Sequence, residues 1–363
     1  MDTKILNVRK VLKERGLSAI VLLNTSLNKS DPNINYFLGR TFEYCALVFS
    51  KNTSYLIVPA LEYGRGKDAL KNMKGAKLKL IQQRNFSEIL QGLHIKGRIG
   101  LNFESITLSE HHRLKTLKNK IVDVSSELKD LRMQKTPHEI KNIKEAAHIA
   151  DKILLRLLFA LENNYKTKRF QTEKEVQNYL LSETHKQGLK TSFKPIVASG
   201  KNSAFPHHDS TGRLTRGFCI IDFGVKYHGY CSDMTRTIYF GTPNKKDTAL
   251  YETVLEANNG CIEYSQAGKR CSEIDAHCKK ILGKNSKYFI HGLGHGIGVE
   301  IHEGPTLNKH SKDILEDGMV FTIEPGVYIP RYGGVRIEDD VLVSQDGKEV
   351  LTKTTKRLLS FKI

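Results

Sequence analysis

Histidines fall most densely, in this 363-residue chain, in His291-Gly-Leu-Gly-His-Gly-Ile-Gly-Val-Glu-Ile-His302, where three imidazoles alternate with four glycines. Glycine inside a regular element costs conformational entropy, so a run this rich implies close approach of the backbone to something else. Apolar and polar residues alternate from Val299 to His302, which predicts a short strand with one buried face. Alone, the run admits two readings: imidazoles delivered into a cleft, or solvated polar residues in a loop. The carboxylates on either side decide. Asp222 follows the apolar run in Ile220-Ile-Asp-Phe-Gly-Val225, where a lone charge would cost on the order of several kcal/mol. Asp233 comes eleven residues later in Tyr230-Cys-Ser-Asp-Met-Thr-Arg-Thr237. Between them Tyr227-His-Gly-Tyr230 reads as a hairpin turn, so the two aspartates would face each other on paired strands. Glu324 ends the strand-like Val320-Phe-Thr-Ile-Glu324 before a Pro-Gly turn, and Glu338 lies in Gly333-Gly-Val-Arg-Ile-Glu-Asp-Asp340.

Four carboxylates and His295 cannot converge unless protons or cations offset their repulsion. Five mostly oxygen ligands are the composition of a two-metal site with bridging carboxylates and a bridging hydroxide. Such a donor set suits Mn²⁺ or Co²⁺ better than a thiolate-preferring ion, with Zn²⁺ as the alternative. The competing reading is a set of separate surface or ion-paired acids, with Arg336 a partner for one of them. The shared strand-end context of all these residues favours a common site.

The elements that must position them follow from periodicity. Residues 4–15 carry Ile5, Val8, Val11 and Leu12 at helical spacing, and Ala19–Leu23 reads as a buried strand. Strand-like segments follow at Asn33–Gly39, Ala46–Phe49, Ser54–Val58, Lys77–Ile81 and Arg98–Leu101, with a helix around Leu108–Leu117. That alternation predicts a compact α/β domain over residues 1–125. Thr136-Pro-His-Glu139 is a helix start, with Thr as cap, Pro at the first position and Glu three residues on. A second helix is expected over Glu173–Lys186, and helices at 248–264 and 272–282, the last with a cap at Ser272. Strands are expected at Cys219–Phe223, Met234–Phe240, Val320–Ile323 and Val335–Leu342. The second domain, 126–363, is therefore read as α+β.

A hydrophobic content of 39% and a charged content of 26% are ordinary for a globular protein. No apolar run reaches the roughly 20 residues that span a bilayer, and the polar start lacks a secretory core, so a cytoplasmic protein without a membrane partner is expected. The six cysteines form no CxxC pair and are expected to be reduced and buried, Cys231 by packing rather than as a ligand. The net charge of +18 comes from scattered lysines without finger spacing or aromatic interleaving, which reads as a solvated basic surface rather than a nucleic-acid interface.

These residues together closely resemble the pita-bread metallopeptidases: aminopeptidase P, prolidase, methionine aminopeptidase and the metal-free creatinase. Asn33–Gly39 resembles the amino-terminal domain of the proline-directed members and creatinase, and residues 131–361 resemble the catalytic domain. The resemblance implies an α+β pita-bread catalytic domain after a creatinase-like α/β domain. It implies Asp222, Asp233, His295, Glu324 and Glu338 as ligands of two divalent metal ions, with Asp233 and Glu338 bridging, Asp222 on one metal, and His295 with Glu324 on the other. His207, rather than the adjacent His208, matches a substrate-side histidine. His291 and His302 match the pair that contacts substrate and stabilises developing charge, and Arg336 matches an arginine that orients ligands. The implied activity is hydrolysis of the Xaa-Pro bond at the amino terminus of peptides or in dipeptides, with Glu324 carrying a proton to the proline nitrogen. A homodimer is also implied. His302-Glu-Gly-Pro-Thr306 has threonine where several prolidases have arginine, which leans toward aminopeptidase P, while Arg331 is either a replacement anchor for a substrate carboxylate or an exposed loop residue. The alternative of another class is a non-catalytic pita-bread protein binding nucleic acid or protein.

Overall fold

The structure, a computed structural model, describes residues 3–25, 30–73, 76–81, 90–115 and 119–363. The chain divides into two compact units, Met1–Arg132 and Met133–Ile363. Residues 126–132, counted with the second domain in the sequence reading, lie in the first unit.

In the first unit, α1 (Thr3–Glu14) buries Ile5, Val8, Val11 and Leu12, the stripe its spacing predicts. The unit continues through β1 (Ala19–Asn24), α2 (Pro32–Leu38), β2 (Cys45–Ser50), β3 (Ser54–Pro59), α3 (Tyr63–Ala69), β4 (Lys77–Ile81), β5 (Arg98–Leu101), α4 (Leu108–Leu114), β6 (Lys120–Asp123) and α5 (Ser125–Met133). Its six strands form one mixed sheet in the order β4-β3-β2-β1-β5-β6. Asn33–Leu38 is helical rather than strand-like. Asp31 caps it by accepting the Asn33 N–H, Pro32 takes the first position, and Gly39 ends it at φ 66°. These end signals outrank the apolar run, because every residue from Asn33 to Leu38 is buried and no polar face betrays the period. Residues 116 and 117 of the expected helix near 108–117 lie outside the described residues.

The second unit has two larger sheets, each covered by a helix pair, and two smaller ones. The long α6 (Pro137–Glu162) starts in a reciprocal capping box between Thr136 and Glu139, and α7 (Glu173–Lys186) in another between Thr172 and Glu175. Leu154, Leu157 and Leu161 of α6 and Val176 and Leu180 of α7 pack with Ile221 and Phe223 of β9 (Gly217–Phe223). That sheet runs β20-β12-β9-β8, with β8 at Ile196–Ser199, β12 at Met234–Phe240 and β20 at Ser360–Phe361. Between β9 and β12 lie the short β10 (Val225–Tyr227) and β11 (Tyr230–Cys231), which pair with β7 (Lys190–Thr191) in a separate small sheet.

Helices α8 (Lys245–Tyr264) and α9 (Cys271–Leu282) cover the other sheet, where Val254, Cys261, Ile274 and Cys278 meet Phe321, Ile323, Val341 and Val343. Its strand order is β14-β13-β15-β18-β19, from β13 (Gly294–Gly296), β14 (Glu303–Leu307), β15 (Val320–Ile323), β18 (Asp339–Ser344) and β19 (Gly347–Val350). The hairpin β16 (Gly326–Ile329) and β17 (Gly333–Arg336) stands apart as a two-stranded sheet. The expected strand Val335–Leu342 is thus two strands with a break at Ile337–Glu338. Val299–His302 is a run of bends rather than a strand, the strands falling instead on either side of it. The α9 cap is Arg270, without a side-chain cap bond, rather than Ser272. All six cysteines are buried and unpaired in disulfides. Among the described residues, no helix is long and apolar enough to cross a membrane.

Candidate metal centre

Asp222 is the sixth residue of β9, and Asp233 immediately precedes β12. The turn between β10 and β11 has His228 at φ 48° and Gly229 at φ 89°, the two positive dihedrals of the tight hairpin turn that suits strand twist. The register puts Thr235 opposite Asp222, and Asp233, two residues earlier on β12's path, shares that face one diagonal away. His295 is the middle residue of β13. Its glycine neighbours are required by packing: a Cβ on Gly294 would lie 2.0 Å from Thr322 O, and one on Gly296 1.9 Å from Gly304 O. Glu324 follows β15 directly and its N–H donates to Leu293 O (2.9 Å). Glu338 occupies the break between β17 and β18, anchored by its N–H to Thr235 O (3.1 Å).

These elements bring the side chains to one cavity of about 520 Å³, lined by Asp222, Asp233, His295, Glu324 and Glu338 together with His207, His291, His302 and Arg336. Ligand atoms of Asp233, His295 and Glu338 all lie within 4.8 Å of one another. His295 Nε2 is 3.7 Å from Asp233 Oδ2 and 3.6 Å from Glu324 Oε1. Its Nδ1 is 3.1 Å from Gly296 O, which places the proton there and leaves the Nε2 lone pair facing the carboxylates. His302 stands edge-on to His295 at 4.3 Å between ring centroids. His208 faces away, its Nε2 2.7 Å from Glu173. Arg331 does not join them: it sits exposed at the β16–β17 turn at φ 64°, outside the cavity lining.

Arg336, the arginine expected to orient ligands, holds the site together with Thr235, Tyr328 and Asp340, which sequence reasoning passed over. Arg336 Nη2 donates to Asp222 Oδ2 (2.6 Å), Nε to Thr235 Oγ1 (3.1 Å) and Nη1 to the Tyr328 hydroxyl (2.8 Å). Arginine only donates, so the Tyr328 oxygen accepts from it and the Tyr328 O–H turns to His291 Nε2, 2.9 Å away. His291 Nδ1–H then donates to Gly292 O (2.8 Å). Thr235 Oγ1 donates to Glu338 Oε2 (2.6 Å), and Asp340 Oδ2 accepts the Asp233 N–H (3.0 Å). Thr235 carried a signal, two residues beyond Asp233 on the same face; Tyr328 carried none short of the fold.

The electrostatics demand compensation, by protons or by cations. Burial raises the carboxyls of Asp222, Asp233 and Glu324, and the neighbouring Glu338 charge raises the last two further. Burial, with the Asp222 charge, pushes Glu338 up to about 8. Burial lowers His291 and His295 to about 4, so both imidazoles are neutral at pH 7. Oδ1 of Asp222 and Oδ1 of Asp233 are buried with no hydrogen-bond partner. Orphaned carboxylate oxygens in a cavity that also receives a neutral imidazole fit a divalent cation, which would supply the missing charge.

Comparison with known proteins agrees. Residues 141–345 match the model of metallopeptidase family M24, and residues 4–134 that of the creatinase/prolidase amino-terminal domain. The chain is 37% identical to the Xaa-Pro dipeptidase of Pyrococcus furiosus, covering 90% of this chain and 92% of that one. Its structure matches that of an Xaa-Pro dipeptidase from Bacillus anthracis with a TM-score of 0.90 at 35% identity, over 99% of both chains. It matches an X-Pro aminopeptidase from Thermotoga maritima with a TM-score of 0.85 at 30% identity, over 96% of this chain and 99% of that one. The expected architecture, a pita-bread catalytic domain after a creatinase-like α/β domain, is met, and membership of such a family implies divalent metal ions. The chain belongs to metallopeptidase family M24.

Proposed function

We propose that the chain is a hydrolase of the Xaa-Pro bond, acting at the amino terminus of proline-containing peptides or on Xaa-Pro dipeptides. The observation that carries this reading is the convergence of Asp233, His295 and Glu338, ligand atoms within 4.8 Å of one another, in the cavity that also receives Asp222 and Glu324. Asp222, Asp233, His295, Glu324 and Glu338 would hold two divalent cations. The oxygen-rich donor set favours Mn²⁺ or Co²⁺, with Zn²⁺ as the alternative. When bound, such ions supply hydroxide at neutral pH and polarise the scissile carbonyl.

The chain's own residues do the rest. Glu324 lies 3.6 Å from His295 and 3.9 Å from His291 and keeps part of its surface open to the cavity, so it can take a proton from the attacking water and give it to the proline nitrogen. Both ring nitrogens of His291 are taken by Tyr328 and Gly292. His302 is therefore assigned to the oxyanion, and His291 to holding that wall in place. His207 reads the substrate at the cavity mouth. Arg336 orients Asp222 and the Tyr328 hydroxyl. Proline is selectable because its tertiary amide has no N–H and a fixed φ, which a shaped apolar wall such as Phe193, Ile196 and Ile301 can favour. Arg331 is assigned no role in the site. The non-catalytic alternative is set aside, because every expected carboxylate and histidine is present and converges. A homodimer in the cytoplasm completes the reading, its oligomeric state measurable by sedimentation.

The test is hydrolysis of Gly-Pro, Ala-Pro and a longer Ala-Pro-headed peptide by protein stripped of metal and refilled with Mn²⁺ or Co²⁺. Cleavage only with metal and only before proline is expected, and the ratio of dipeptide to longer peptide reads the length preference. Metal-loaded protein that leaves all three intact would overturn the assignment.

A further inference from the structure

Glu173, the first residue of α7, is fully buried, and one stretch of chain uses its carboxylate. Oε1 accepts from the Ser199 N–H (2.7 Å) and the Asn202 side-chain amide (3.0 Å). Oε2 accepts from the Gly212 N–H (2.6 Å) and lies 2.7 Å from His208 Nε2. With the other three donors filling the carboxylate, His208 is the fourth and carries its proton on Nε2. Packing leaves no slack: a Cβ on Gly212 would lie 2.4 Å from Asn202 Nδ2 and 2.8 Å from Glu173 Oε2. The backbone adds a fifth tie, from Glu173 N–H to Gly212 O (2.9 Å).

All of these donors belong to residues 199–212, and that segment delivers Pro206 and His207 to the wall of the metal-centre cavity. His207 itself is exposed, and among the described residues no hydrogen bond holds its ring. Its place is set by its neighbour, which turns the opposite way into Glu173. A buried charge with every lone pair spent on one loop is an expensive means of general stabilisation, since apolar packing serves that end as well. It is a suitable means of fixing one geometry.

We propose that Glu173 and His208 are positioning residues, which brace the 199–212 segment so that His207 meets the substrate at the cavity mouth. This rests on the Xaa-Pro peptidase reading. The test uses the full chain loaded with Mn²⁺ and an Ala-Pro-headed peptide, with His208→Ala and His208→Gln each made alone and combined with His207→Ala. His208→Ala should lower kcat/KM about tenfold, because a displaced contact group loses its alignment. His208→Gln, whose amide N–H replaces the Nε2 donor, should recover most of that loss. In the His207→Ala background, His208→Ala should cost less than about twofold more, since the two act as one unit. Equal losses in both backgrounds, or none in either, would overturn the proposal. A separate readout is the His208 ring N–H by proton–nitrogen NMR. It should exchange slowly in the intact protein and quickly in Glu173→Gln. Fast exchange in the intact protein disproves the brace whatever the activity, whereas slow exchange in a protein that cleaves no proline peptide disproves the functional reading and leaves the brace standing.

Discussion

Asp222 and Asp233 each leave one buried oxygen without a partner, while Arg336, Thr235 and the Asp340 carboxylate occupy the atoms around them. Among the described residues nothing neutralises the four acids fully, so a protein stripped of metal should retain protons on them. Glu338 shows the sign. Its folded value of about 8 exceeds the ordinary 4.5, so the folded state binds more protons than the unfolded state between these values. Stability therefore falls as pH rises through that window. Melting temperatures of chelator-treated protein should decline from pH 7 to pH 8, above the window of about 4 to 6.5 in which the lowered His291 and His295 act with the opposite sign, and added Mn²⁺ should remove most of the decline. Asp233→Asn, which deletes one like charge, should melt at or above the wild type at pH 8 without metal, yet lose more than about a hundredfold in turnover with it. A metal-free melting temperature that rises from pH 7 to pH 8 would refute this account. At this scale the sequence was highly informative: acidic residues at the ends of apolar runs are conspicuous because burial there is costly. Arg331 stayed ambiguous between an anchor and a loop residue because a turn arginine has no such mark, and the Tyr328 bridge between Arg336 and His291 depends on side chains that meet only after folding.

Strand geometry was legible wherever a local rule acts. The capping box at Thr136 and the His228-Gly229 turn are each fixed within a few residues and formed as their sequences imply, and the box at Thr172, unmarked in the sequence reading, obeys the same local rule. The bends at 299–302 and the break at Ile337–Glu338 answer to remote contacts, which alternation does not report. Around His295, Gly294 abuts Thr322 and Gly296 abuts Gly304, so the glycines serve β13's pairing rather than a flexible turn. Gly294→Ala should accordingly destabilise the protein by at least about 2 kcal/mol in urea unfolding, because the backbone carbonyl it meets cannot yield cheaply. Gly188→Ala, at φ 70° with open space around it, should cost only about 1 kcal/mol of backbone strain. Equal costs at the two positions would contradict the packing explanation for the glycine run.

Over the whole molecule, the residues assigned to the cations all lie in the unit Met133–Ile363, and none in Met1–Arg132. Binding that favours the folded form stabilises the elements that bear the ligands. Hydrogen exchange with and without chelator should therefore show faster exchange in β9, β12, β13 and β15 after chelation, with the sheet of the first unit unchanged. A uniform increase across both units would instead indicate that metal holds the whole chain together. The two-unit organisation was legible from the capped start at Thr136, but its boundary was not, because α5 has no sequence mark saying which unit it joins.

The anchoring of Glu338 on Thr235 O, together with the Arg336 bond to Asp222, also carries a consequence in time. Asp222 and Asp233 are neighbours along the chain and can come together as soon as β9 and β12 pair. Glu338 reaches them only after a separation of more than a hundred residues has been closed, the kind of long-range contact that forms slowly. The full set of residues expected to hold the cations is thus complete only once that long-range contact has closed.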